Sequence, residues 1–169
     1  MSAAVLLVPG LWMPAQVMQP LARRLRKRGF QTLLFGYASI RATLSVNAQR
    51  LAHYVESVAA PRLHLVGHSL GGLVVLNALE LLAPGRVERV ILLGSPFRDS
   101  FAGRALARMP LVHSLLGLSM AQWLAGDRRA PRGVHDIGVI AGNRRMGVGR
   151  MVVRNMPQPN DGEIGRAHV

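Results

Sequence analysis

Leu63–Gly72, reading LHLVGHSLGG, sets one serine between glycines where an apolar run suited to a strand passes into an apolar run suited to a helix. Leu63, Leu65 and Val66 suit a short buried strand. Leu70, Leu73, Val74, Leu76, Ala78, Leu81 and Leu82 continue as a helix that Pro84 and Gly85 stop. A strand that ends this way brings its last residue to the carboxyl edge of a sheet. The sharp turn then lifts Ser69 above that edge in a strained backbone conformation, a nucleophile elbow. Gly67 and Gly71 fit this reading, since a β-carbon two residues to either side of the serine would collide with neighbouring backbone.

Outward from the elbow, strands and helices alternate, which predicts an α/β fold with a mainly parallel sheet and helices on both faces. Towards the N-terminus the pattern gives a strand at Ala4–Val8, a helix at Gln16–Arg28 closed by Gly29, a strand at Gln31–Phe35, a loop with Gly36 and Tyr37, and a helix at Leu44–Val58. Towards the C-terminus it gives a strand at Val87–Leu93 and a helical, apolar stretch from Phe101 to Ala125 broken at Pro110 and Gly117. A strand at Gly133–Ala141 and a Pro/Asn/Gly turn around Asp161 follow.

The length of 169 residues suits one domain able to bury roughly two thirds of its unfolded surface. No apolar run approaches the roughly 20 residues that span a bilayer, and MSAAVLLVPG lacks the basic region of a signal peptide. The absence of cysteine removes disulfides and thiolate metal sites, and fits a reducing compartment, here the cytoplasm. A net charge of +13 points in general to nucleic acid or an anionic surface. All the basic residues but Lys27 are arginines, scattered except for Arg23, Arg24, Arg26, Lys27 and Arg28, which form the solvated face of one helix. No aromatic-interleaved basic surface accompanies them, so no nucleic-acid partner is expected.

VLLVPGLW (Val5–Trp12), GHSLGG (Gly67–Gly72), ILLGSP (Ile91–Pro96) and NDG (Asn160–Gly162) together resemble the small bacterial lipases and esterases of the α/β-hydrolase superfamily, in matching order along essentially the whole chain. The resemblance implies a serine hydrolase that cleaves carboxylic esters through an acyl-enzyme on Ser69. It places the oxyanion-hole donors at the backbone N–H groups of Leu11 and Leu70. It makes Asp161 the acid that supports the catalytic histidine, with Asp99 as the alternative. Pro9-Gly10 stands where the family usually has His-Gly, a difference that touches loop anchoring more than a backbone donor.

No histidine occupies the position that the resemblance requires. His53 and His64 lie in a predicted helix and strand, His68 adjoins the nucleophile, His113 belongs to the apolar segment, and His135 begins a strand. Only His168 follows Asp161, seven positions on. Ile164–Val169, Ile-Gly-Arg-Ala-His-Val and then a stop, is what one frame of a common short-read sequencing adapter encodes. The expectation is therefore a single incomplete domain at 1–163, lacking its last strand and helix, with 164–169 as adapter read-through. Under that expectation the catalytic histidine is not in this chain, sustained turnover is absent, and the 133–141 strand is an uncovered sheet edge.

The segment at about 100–130 sits where the superfamily carries a cap. With Trp12, Met13 and Trp123 it could line an acyl pocket or touch a lipid interface, or serve as ordinary core. The expected substrate is a small-molecule or lipid acyl ester, with no cofactor and no metal. A thioesterase or acyltransferase would use the same nucleophile, and a non-catalytic binding protein of the same fold is a further alternative.

Overall fold

A computed structural model describes residues 3–95, 110–125 and 136–140. Five strands form one sheet: β1 (Ala4–Val8), β2 (Gln31–Leu34), β3 (Leu63–His68), β4 (Arg89–Leu93) and β5 (Asp136–Ile140). Their spatial order is β2-β1-β3-β4-β5, and every pair is parallel. The register sets Leu6 beside Leu33 and Leu65, and Val66 beside Ile91.

The helices are α1 (Gln19–Arg26), entered through a 3-10 turn at Ala15–Met18, α2 (Leu44–Ser57), α3 (Leu70–Leu79) and α4 (Pro110–Ala125). Pro20 explains why α1 starts later than the apolar pattern suggests. A helix begun at Gln16 needs the residue 20 N–H to reach the Gln16 carbonyl, and proline has none. The chain instead makes one tighter turn and places Pro20 in the first turn of α1, where a missing N–H costs nothing. Thr43 caps α2, its hydroxyl accepting from the Val46 N–H at 3.3 Å.

Parallel strands buried on both faces read as continuous apolar runs, and all five residues of β1 are buried. Ala4, Leu6 and Val8 join Leu63 and Leu65 in the larger core, under α2 and α3, while Val5 and Leu7 join Val66 in a smaller cluster under α1. α3 is apolar around almost its whole circumference, and only Asn77 of its ten residues is not buried. α1 buries only Ala22 and turns Arg23, Arg24 and Arg26 outward.

The sheet order fixes where a site can form. β1 is followed by α1 on one face and β3 by α3 on the other, so the connections leaving these adjacent strands diverge and open a crevice at their carboxyl ends. Ser69 follows β3, and Pro9–Pro14 follows β1, so both border this crevice. Pro110 opens α4 and Gly117 breaks it at φ 72. Phe101–Met109, residues 133–135 including His135, and Ala141 lie outside the described residues. Among the described residues β5 pairs on one side only, and no helix is long and apolar enough to cross a membrane.

Candidate active site

Ser69 has φ 51 and ψ −124, a conformation that side chains other than glycine rarely adopt. Two hydrogen bonds hold it there. Its N–H donates to the Leu93 carbonyl of β4 at 2.9 Å, extending the parallel ladder one residue past β3, and its carbonyl accepts from the Gly72 N–H at 3.0 Å. The serine is half-buried at the N-terminus of α3, whose first N–H groups have no intrahelical acceptor; the Leu70 N–H is one of them.

Three glycines surround this turn, each for a separate steric reason. A β-carbon on Gly67 would run into the Gly72 backbone, the approach expected of an elbow folding onto its own helix. One on Gly71 would meet the carbonyl oxygens of Pro9 and Val8, so this glycine serves contact with β1 and the following loop. A β-carbon on Gly72 would collide with Ser95, a fully buried side chain whose hydroxyl donates to the Gly67 carbonyl at 3.4 Å.

The loop after β1 lies directly against the serine. A β-carbon on Gly10 would sit 3.2 Å from Ser69 Cβ and 3.0 Å from His68 Nδ1. Gly10–Met13 forms a turn, with the Met13 N–H on the Gly10 carbonyl at 3.4 Å and Trp12 at φ 59. The Tyr37 hydroxyl donates to the Pro9 carbonyl at 3.0 Å, and Ser39 Oγ accepts the Trp12 N–H at 3.2 Å. Among the described residues nothing accepts from the Leu11 N–H. Tyr37 and Ser39 lie 27 to 28 residues from the groups they hold. No local pattern marks their role: in the sequence Tyr37 stands only as part of a loop, and nothing singles out Ser39.

α4 approaches the same edge. Its Leu118 N–H donates to the Ile40 carbonyl at 2.9 Å, and Gly117 packs so tightly on Ile40 that a β-carbon there would strike its backbone. Buried Ser119 donates to the Ala42 carbonyl at 2.7 Å and accepts from Asn47 Nδ2 at 2.9 Å, and Gln122 bonds the start of α2 through Ser45. Trp12, Met13, Ile40 and Leu118 present exposed apolar surface along this edge. Trp123 packs into the larger core beneath α4, at 7% exposure.

Burial lowers the pKa of His68 below the usual imidazole value, so the ring beside Ser69 is uncharged at neutral pH. Its Nδ1 is buried without a partner among the described residues, and no described histidine bonds to Ser69. His64 sits by the exposed Arg62–Glu88 ion pair, its Nε2 3.8 Å from Glu88, at the opposite end of β3 from the elbow. Asp99, Asp161, His168 and the side chain of His113 lie outside the described residues.

A parallel α/β sheet with a strained serine at its topological switch point defines a class of proteins that act at the carboxyl edge of the sheet. The chain belongs to the alpha/beta hydrolase family, whose model matches residues 5–159. It is 35% identical over 101 residues to the Variovorax paradoxus (strain S110) protein named "Putative carbamate hydrolase RutD", a match covering 54% of this chain and 38% of that protein. The mature form of the Bacillus licheniformis lipase BlEst2 superposes with a TM-score of 0.74 at 19% identity, over 97% of this chain and 77% of the lipase. An extracellular alpha/beta-hydrolase from a Paenibacillus species superposes with a TM-score of 0.53 at 21% identity, over 62% of this chain and 46% of that one. At these identities the two structures speak for the fold alone.

Proposed function

We propose that Ser69 is the nucleophile of a serine hydrolase that cleaves carboxylic esters through an acyl-enzyme. The observation that carries this reading is the Ser69 backbone at φ 51 and ψ −124, held between glycines that leave no room for a β-carbon. A merely structural turn gains nothing from placing serine in such a conformation, whereas a nucleophile gains exposure of its Oγ. In the reaction the Ser69 oxygen bonds the acyl carbon, the bond to the alcohol oxygen breaks, and the alcohol leaves with a proton. Water then adds to the acyl carbon and releases the carboxylic acid and free Ser69.

The negative oxygen that forms on the way needs fixed donors, which we assign to the Leu11 and Leu70 N–H groups. Leu70 follows Ser69, and Leu11 follows Gly10, which packs against Ser69. Neither N–H is consumed by the fold: Leu70 opens α3, and the Leu11 N–H has no described acceptor. Asp161, with Asp99 as the alternative, is the proposed acid that supports a histidine base. The apolar edge of Trp12 and Met13 suits an acyl chain. A carbamate is the second substrate class, on the strength of the 35% identity to the relative named for that activity; its carbonyl would meet the same nucleophile and donors.

Mixing the protein with p-nitrophenyl butyrate and with a p-nitrophenyl carbamate tests the reading by release of p-nitrophenol. The expected result is slow release above the Ser69→Ala background, rising to no more than roughly one equivalent per chain, since no described histidine bonds Ser69 to speed acylation. Equal release from the Ser69→Ala variant would overturn the nucleophile assignment.

A further inference from the structure

Trp12 is a large residue with φ 59, a left-handed conformation that residues other than glycine rarely adopt. Such a residue persists only where its surroundings over-determine it. Two of the described contacts that hold this turn come from the segment that follows β2. Tyr37 donates to the Pro9 carbonyl, and the buried Ser39 accepts the Trp12 N–H. Between these anchor points stands Leu11.

The anchoring segment is itself clamped. Ser39 donates its own N–H to the Tyr37 carbonyl at 3.0 Å, and the Ala42 N–H bonds the Ala38 carbonyl at 3.1 Å. Asn47 Nδ2 donates to Ala38 at 3.1 Å, while Leu118 and Ser119 of α4 donate to Ile40 and Ala42. The backbone that carries the Ser39 hydroxyl is thus held on both sides, which fixes the place of the acceptor.

We propose that Ser39 is a positioning residue for the acylation site: by accepting the Trp12 N–H it holds the left-handed turn that aims the Leu11 N–H at the oxygen developing over Ser69. This rests on the reading of Ser69 as nucleophile. Ser39 touches no reacting atom and acts through Trp12. Misplacing the loop weakens stabilisation of the transition state, while apolar binding of a substrate chain is unaffected.

The test compares the 169-residue wild type with Ser39→Ala, Ser39→Thr and Ser69→Ala, using an alkyl fluorophosphonate. The Ser69 oxygen forms a bond to phosphorus, the P–F bond breaks, fluoride leaves with the electron pair, and the serine proton passes to solvent. The phosphoryl oxygen takes the place of the developing oxyanion. Losing one such donor outright costs about 10²–10³-fold, so a displaced donor in Ser39→Ala should lower the first-order phosphonylation constant at least tenfold. The half-saturating probe concentration should change less than twofold, and Ser39→Thr, which keeps the hydroxyl, should stay within about threefold of wild type. A Ser39→Ala constant within twofold of wild type, or a Thr variant as slow as Ala, would overturn the proposal.

Amide hydrogen exchange reads the positioning step without any chemistry at Ser69. The Trp12 amide should exchange at least tenfold faster in Ser39→Ala while Val5–Val8 keep their protection, and unchanged Trp12 exchange would overturn the proposal. Labelling that persists in Ser69→Ala would instead overturn the nucleophile reading, which separates the two failures.

Discussion

Gly71→Ala should damage this protein more than its single added methyl group suggests. The new β-carbon would lie 2.5 Å from the Val8 carbonyl oxygen and nearer still to that of Pro9. Neither obstacle can rotate away, since both are main chain, one in β1 and the other in the loop beside the serine. Forcing extra volume into a packed site costs about 1–3 kcal/mol, and rigid neighbours place this case near 3. The displaced Pro9 carbonyl also accepts from Tyr37, a bond contributing about 1 kcal/mol. The sum is about 4 kcal/mol, a large part of the roughly 5–15 kcal/mol that holds a domain together.

Gly29→Ala is the control. Gly29 has φ 88, and a β-carbon added there would meet nothing within 4 Å, so only backbone strain of about 1 kcal/mol applies. Urea unfolding followed by circular dichroism measures both variants. Losses within 0.5 kcal/mol of each other would refute the assignment of Gly71 to contact with β1.

Asn47→Ala removes a part-buried hydrogen bond to Ala38 and a buried one to Ser119, and should cost about 2–3 kcal/mol, lowering the melting temperature by roughly 4–12 °C. A change under 1 °C in differential scanning fluorimetry would contradict a stabilising clamp. His68 gives a pH dependence of defined sign. Its folded pKa lies below its unfolded value near 6.5, so between these values the unfolded chain binds the extra proton and stability falls as pH falls. The melting temperature of the wild type should therefore drop more between pH 7.5 and 5.5 than that of His68→Gln. Parallel curves would contradict burial as the cause.

The parts of the fold legible in the sequence were those written in local pattern. β1 occupies Ala4–Val8 as its apolar run predicts, α2 begins at Leu44 as expected, and Gly117 breaks α4 where the pattern breaks. The expected α/β fold with a parallel sheet and helices on both faces is the observed one. Boundaries shifted where a single residue changed the hydrogen bonding. Pro20 delays α1, and the elbow carries β3 on to His68, past the last apolar residue at Val66.

The site divides in the same way. Ser69 stands out because the elbow is a local device, a serine with its glycines in one turn. Tyr37 and Ser39 do not, because what makes them matter is a contact across the sheet edge with a loop far back in the chain. Likewise, the reason for Gly71 is the carbonyls of Val8 and Pro9, which no spacing within the elbow reveals.

Mass spectrometry of the digested 169-residue protein after fluorophosphonate treatment locates the reactive serine. If Ser69 is the nucleophile, the adduct lies on the Leu63–Arg86 peptide, at Ser69, forms faster than on any other serine and is absent from Ser69→Ala. An adduct spread over several serines at similar rates, or undiminished in Ser69→Ala, would contradict it.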